Sequence, residues 1–129
     1  MSKFDDGMKV RREVLGDAHV ERSMANANNF DTEFQQYITE TVWGGIWTRD
    51  GLERQTRHLV TIGILAALGR EHELELHLRS TINTGVTPEQ LREVFMHVAA
   101  YAGVPAANTA FALAKKILKE QNRPEDQTP

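Results

Sequence analysis

The chain has 129 residues, 40% of them apolar and 26% charged, with a formal net charge of −3, which fits one globular domain with a real core. It contains no cysteine, so disulfides, thiolate metal sites and thiol redox chemistry by this chain alone are excluded. No lysine–arginine cluster marks a nucleic-acid footprint; the longest apolar run, residues 58–69, falls short of the roughly 20 residues that cross a bilayer.

The first residues, MSKFDDGMKVRREVLG, carry no apolar run of signal-peptide length, so a cytoplasmic location is expected. Residues 4–15 read as a helix with Val10, Val14 and Leu15 among charges, stopped by Gly16. Asp17 opens a second helix to about Ala27, and NANNF is a turn. Asp31 is the expected cap of a third helix, with Phe34, Ile38 and Val42 on one face. That helix runs into TVWGGIWTRDG, where the glycines predict a break. Residues 52–68 are apolar on nearly every side, as in the middle of a bundle or at a subunit interface. A helix over 70–84 follows, closed by Gly85. Thr87, Pro88 and Gln90 spell a capping box with proline at the first helical position. The helix they start reaches Tyr101, Gly103 and Pro105 interrupt it, and an alanine-rich helix covers about 106–120. No alternating strand pattern is present. The expected fold class is all-α, six to seven helices in one domain over 1–121, with a disordered polar tail over 122–129.

The stretch GREHELELHLR, residues 69–79, holds two histidines, three glutamates and two arginines. Zinc is a poor fit. His72 and His77 are five residues apart and diverge by roughly 140° around a helix, where chelation from one helix needs a spacing of four. His72 reads as a solvated histidine. His77 stands four residues after Glu73, so the two side chains can meet. A neighbouring carboxylate favours the protonated imidazole and so a poised proton donor; the plainer alternative is a surface pair worth a few tenths of a kcal/mol.

In WGGIWTRDG, Trp43 and Trp47 with Arg49 behind them could wall a dry pocket holding one carboxylate; ordinary packing of two tryptophans is the alternative. In HVAAYAGVPAAN, His97 and Tyr101 lie one turn apart before a helix break and could line a cleft, or be simple core. Arg54 and Arg57 open the apolar helix at the end that disfavours cations, which calls for a partner anion, side chain or substrate.

Together these segments resemble the carboxymuconolactone decarboxylase family. The matching stretches are VRREVLGDAHVERS, WGGIWTRDGLERQTRHL, LAALGREHELELHLRSTINTGVTPEQLREV and HVAAYAGVPAANTAFALAK, in order over roughly residues 10–118. The wider superfamily includes alkylhydroperoxidase-like proteins, whose motif is Cys-x-x-Cys-x-x-x-His with a glycine eight residues on. Here Gly85 is eight after His77, the cysteine positions fall on Arg70 and Glu73, and His58 aligns with a glutamate used by the peroxidase branch. The resemblance therefore implies an alkylhydroperoxidase-like helical bundle, assembled as a homo-oligomer, a hexamer, without the peroxidase redox centre. It also implies a carboxy-lyase that takes a small lactone dicarboxylate, 4-carboxymuconolactone, to 3-oxoadipate enol-lactone in the protocatechuate branch of the β-ketoadipate pathway, needing no cofactor or metal. His77 would donate the proton, with Glu73 orienting it. Arg49, then Arg57, would hold a carboxylate, Arg57, His97 or Tyr101 would face the developing oxyanion, and Trp43 and Trp47 would exclude water. A related decarboxylase or isomerase of another lactone or keto acid, and a non-catalytic binder of a small organic acid, are the alternatives.

Overall fold

The computed structural model describes residues 2–123 and is helical throughout, with no strand among them. Two compact units are present, Met1–Arg54 and Gln55–Pro129.

The first unit holds α1 (Lys3–Leu15), α2 (Asp17–Asn26), α3 (Thr32–Ile38) and a π turn, Thr39–Trp43. Ser2 caps α1 by accepting from the Asp5 amide, and Gly16, at φ 91°, ends it as its sequence position predicts. Val14 and Val20 are fully buried. Asp31 was the expected side-chain cap of α3, yet it turns back: its carboxylate accepts from the Asn28 amide at 2.8 Å, and Thr32 donates to the Asn28 carbonyl at 2.6 Å. The turn closes on itself instead of on the helix.

The expected apolar face of α3 is not the buried one. Phe34 is 58% and Val42 38% exposed, while Thr39, Trp43 and Trp47 are buried and Gln35 is half-buried. These four positions repeat every four residues. In a regular α-helix such a stripe drifts by about 40° per step. Here the backbone widens: the Gly44 amide donates to the Thr39 carbonyl and that of Trp47 to Val42, both five residues back, at 2.8 and 3.1 Å. A turn of this width keeps a period-four stripe in line. The break predicted at Gly44–Gly45 is thus a widened turn followed by irregular chain. It packs directly on α1, because neither Gly7 nor Gly44 has a side chain; a Cβ on Gly7 would overlap the Thr39 carbonyl and stand 2.7 Å from the Gly44 nitrogen.

The second unit contains α4 (Arg54–Leu68) after its first residue, then α5 (Glu71–Arg79), α6 (Thr81–Thr84), α7 (Pro88–Ala102) and α8 (Val104–Glu120). The segment read as one helix over 70–84 is two, divided at Ser80, which raises the total among the described residues to eight α-helices. The core is built from Ile62 and Ala66 of α4, Leu74 and Leu78 of α5, Phe95 of α7 and Ile117 of α8. Alanines 107, 110 and 114 let α8 lie close to its neighbours. The capping box at α7 is formed, with Thr87 Oγ1 accepting from the Gln90 amide at 3.1 Å and Gln90 Oε1 from the Thr87 amide at 3.0 Å. Pro105 sits inside the first turn of α8 and starts the helix rather than interrupting it.

Of the tail expected over 122–129, residues 124–129 lie outside the described residues. Arg123 is tied down, its guanidinium donating to the Val86 carbonyl and to Thr81 Oγ1, each at 2.7 Å. None of the described helices is long and apolar enough to cross a membrane.

The contact between α1 and the π turn generates a test. Gly7→Ala should cost about 3 kcal/mol in urea unfolding because the added methyl meets backbone on two sides. Gly51→Ala, with nothing within 4 Å of the new Cβ, should stay within about 0.5 kcal/mol of the parent.

Candidate active site: a buried imidazole pair

His58 leaves α4 on the same stripe as Ile62 and Ala66, four and eight residues on, and like them is buried, with 0% of its surface exposed. His77 leaves α5 beside Leu74 and Leu78 and is 9% exposed. The rings meet edge to face at a centroid distance of 5.2 Å, with His58 Nε2 3.1 Å from His77 Nδ1. The other nitrogen of His58, Nδ1, lies 2.6 Å from Thr84 Oγ1. Thr84 is the last residue of the short helix α6; its hydroxyl is 3.4 Å from the Thr81 carbonyl. Gly85, in the left-handed region at φ 79°, turns the chain immediately afterwards. Its carbonyl accepts from Gln55 Nε2 at 2.6 Å, and Gln55 Oε1 accepts from Gln90 at 3.2 Å. The start of α4, the end of α6 and the start of α7 are therefore joined at the point where Thr84 meets His58.

Burial, and next the charge of His77, push His58 down to about 3 from 6.5, so it is neutral at physiological pH. That settles the tautomers whenever His77 is an imidazolium. Both nitrogens of an imidazolium are donors, so His77 Nδ1–H must donate to His58 Nε2. Neutral His58 then carries its proton on Nδ1 and donates to Thr84 Oγ1, whose own proton points to the Thr81 carbonyl. The chain of donors runs one way, and a proton given up by His77 in this state leaves from Nε2.

The remaining sequence candidates are distributed as follows. Glu73 is exposed one turn before His77. His72 is exposed too, on a different side of α5 from buried His77, as their five-residue spacing predicts. Arg57 is half-buried and adjoins His58 in sequence. Arg54 has a carboxylate side chain for its anion, Glu13 at 3.4 Å; both groups are exposed, so the pair contributes little. In the first unit Trp43 and Trp47 are stacked, with centroids 4.9 Å apart and planes 28° from parallel, and exposed Arg49 follows two residues later.

His97 and Tyr101 pair on α7 at 5.4 Å, and Tyr101 is 85% exposed. They flank an open apolar groove of about 650 Å³ whose α4 side is Val60, Gly63, Ile64 and Ala67. Ala67 is nine residues from His58, about 180° around the helix. The groove is thus across α4 from the imidazole pair, and the two tyrosine-cleft residues do not join His77 within one chain.

Sequence reasoning passed over Thr84 altogether, and it reached His58 only as an alignment partner for a glutamate. A histidine in register with Ile62 and Ala66 was the available signal for His58. Thr84 offered none beyond a short polar side chain ahead of a glycine.

Because His58 resists protonation in the folded chain, its contribution to stability has a defined pH window. Above pH 6.5 both folded and unfolded states hold it neutral. As pH falls from 6.5 towards about 3, only the unfolded chain takes up the proton, and stability drops by up to about 1.4 kcal/mol per pH unit from this group. His58→Gln should lose stability less steeply across that window in chemical unfolding; parallel slopes for the two proteins would contradict the assignment.

The profile of the "Carboxymuconolactone decarboxylase family" matches residues 32–116. A protein named 4-carboxymuconolactone decarboxylase from Acinetobacter baylyi is 48% identical over 118 residues, spanning 92% of this chain and 88% of that protein. Nitrosuccinic acid decarboxylase npaB from Metarhizium robertsii is 40% identical over 95% of this chain and 90% of its own length. A 4-carboxymuconolactone decarboxylase from Pseudomonas putida is 52% identical over 42 residues, 33% of this chain and 88% of that sequence. Helical fold, family profile and full-length relatives agree, and the chain belongs to the carboxymuconolactone decarboxylase family.

Proposed function

We propose that the chain is a carboxy-lyase that converts 4-carboxymuconolactone to 3-oxoadipate enol-lactone in the protocatechuate branch of the β-ketoadipate pathway, with His77 as its proton donor. The observation that carries this reading is the largely buried His77–His58–Thr84 chain, which gives one imidazole a fixed orientation and a defined exit for its proton. The 48% identity to the Acinetobacter baylyi decarboxylase supports the choice of substrate.

The chemistry asks little else of the protein. The departing carboxylate sits on a ring carbon conjugated through C=C to the lactone carbonyl. When CO2 leaves, the C–C bonding pair enters the ring and charge collects on the lactone oxygen as a furanolate-like dienolate. Protonation at the carbon α to that carbonyl gives the enol-lactone. His77 supplies this proton from Nε2 and is recharged from water, so one proton is consumed for each CO2 released.

Sequence spacing gave Glu73 the task of orienting His77; we assign that task to His58, and to Glu73 the return of a proton from solvent. Arg49 or Arg57 holds the acetate carboxylate in a bidentate fork, and Arg57, next to His58 on α4, is our choice for the developing oxyanion. Trp43 and Trp47 form the dry wall that favours departure of a charged carboxylate as neutral CO2. The exposed apolar side of α4 and the groove beside it seat a second copy of the chain in a homo-oligomer, a hexamer in the cytoplasm, and His97 and Tyr101 belong to that contact. Sedimentation of a monomer at micromolar concentration would overturn this part.

A second reading has an observation of its own. The relative at 40% identity is named for the decarboxylation of nitrosuccinic acid, so a small open-chain diacid is the competing substrate. Comparing turnover of the lactone and of nitrosuccinate separates the two.

Three outcomes are expected. Purified protein should accelerate enol-lactone formation far beyond the spontaneous rate, equally with and without excess EDTA; no acceleration of lactone by folded protein would sink the substrate assignment. His77→Gln should lower kcat by about 100-fold or more, the usual range for removing a general acid. Thr84→Val should lower it by about tenfold, the equivalent of one lost hydrogen bond at the far end of the relay. Near-parental kcat in His77→Gln would remove it from the mechanism.

A further inference from the structure

Arg11 of α1 is only 5% exposed, yet its guanidinium meets neutral oxygens: Thr39 Oγ1 at 3.1 Å on one arm and Gln35 Oε1 at 3.2 Å on the other. Its Nε–H is buried without an acceptor, and among the described residues no carboxylate pairs with it. Burial lowers its pKa from the ordinary arginine value. A desolvated cation with an unsatisfied donor is costly, and an apolar side chain of similar length would fill the space without that penalty. The fork therefore calls for an explanation beyond packing.

Its two acceptors supply one. Gln35 and Thr39 are one turn apart, at the place where α3 gives way to the π turn. Thr39 donates its own hydroxyl proton to the Gln35 carbonyl at 2.8 Å, so it meets Arg11 as an acceptor. The Thr39 carbonyl receives the five-residue bond from Gly44 that makes the turn wide. An α-helix is the competing arrangement, and tightening to it rotates everything downstream by about 100°, one residue's worth. Clamping Gln35 and Thr39 from α1 fixes where the wide turn begins, and with it the direction of Trp43 and Trp47, whose rings stack 4.9 Å apart.

We propose that Arg11 is a positioning residue for the tryptophan wall of the substrate pocket, acting through the π turn. This rests on the role given to Trp43 and Trp47 above. Arg11 touches no substrate; it sets the angle of the two side chains that do.

The test is Arg11→Lys, which keeps the charge and cannot span two acceptors with a planar fork. The stacked indoles give an exciton couplet in circular dichroism, which reads their mutual angle independently of activity. The lysine variant should lose most of the couplet, with KM raised about tenfold, the equivalent of about one charged hydrogen bond, and with kcat and its pH profile little changed. Thr39→Ser, which keeps the hydroxyl, should behave like the parent, and Thr39→Val like Arg11→Lys. A lysine variant with lower Tm but parental couplet and KM makes Arg11 structural only and overturns the proposal. If Arg11→Lys does not fold, the Thr39 pair decides: a Ser–Val difference in couplet and KM supports the clamp, and identical behaviour overturns it. Trp43→Phe and Trp47→Phe separate the two levels. Parental KM in both means that the wall itself was misassigned; raised KM there, with parental KM in Arg11→Lys, means that the wall stands and the clamp fails.

Discussion

A neutral imidazole sealed among aliphatic side chains must satisfy both its ring nitrogens, and much of the Gln55–Pro129 unit is arranged around that demand. An unmet buried donor or acceptor costs as much as several well-made surface contacts. His58 sits where α4 would otherwise show another leucine or alanine to the core, so its partners have to be carried in by other elements. α5 brings His77 between Leu74 and Leu78. The division of the 70–84 segment at Ser80 redirects four residues of chain so that Thr84 reaches the other nitrogen. Gln55 then secures the turn behind it.

The same arrangement shows how a neutral histidine can orient the ring proposed as the proton donor. An ionised aspartate in the place of His58 would hold His77 strongly, and it would also stabilise the charged ring at the moment when it should surrender its proton. A neutral imidazole accepts a hydrogen bond from His77 Nδ1–H without adding charge. It fixes geometry while leaving the proton easier to give away. This suits a reaction in which the substrate carries its own electron sink and the protein has only to protonate one carbon.

The elements were largely legible from the sequence because their signals are local. Gly16, Gly85 and Gly103 ended helices as read, and the Thr87–Gln90 box is formed atom for atom. The errors occurred where a local rule was overridden at a distance. Asp31 had a nearer partner in Asn28. Phe34 and Val42 were assigned the buried face by α-helical spacing, whereas the chain used a wider turn that buries Thr39, Trp43 and Trp47. For the site, His77 stood out because it is ionisable on an otherwise patterned helix, but its partner was sought one turn away on the same helix. One partner is 19 residues back on α4, and no spacing rule connects two helices. Arg11 stands in a run of charges on α1, where no local pattern marks its burial.

The π turn has a consequence for how this segment can change. A period-four stripe read through a five-residue bond is what a helix acquires when one residue is inserted and the flanking faces are kept in place. Loss of one residue between Thr39 and Trp43 would turn the spacings along the stripe from four, four and four into four, three and four, which a regular α-helix keeps on one face, so both indoles would stay in line and the segment is expected to tolerate a length change of one residue there.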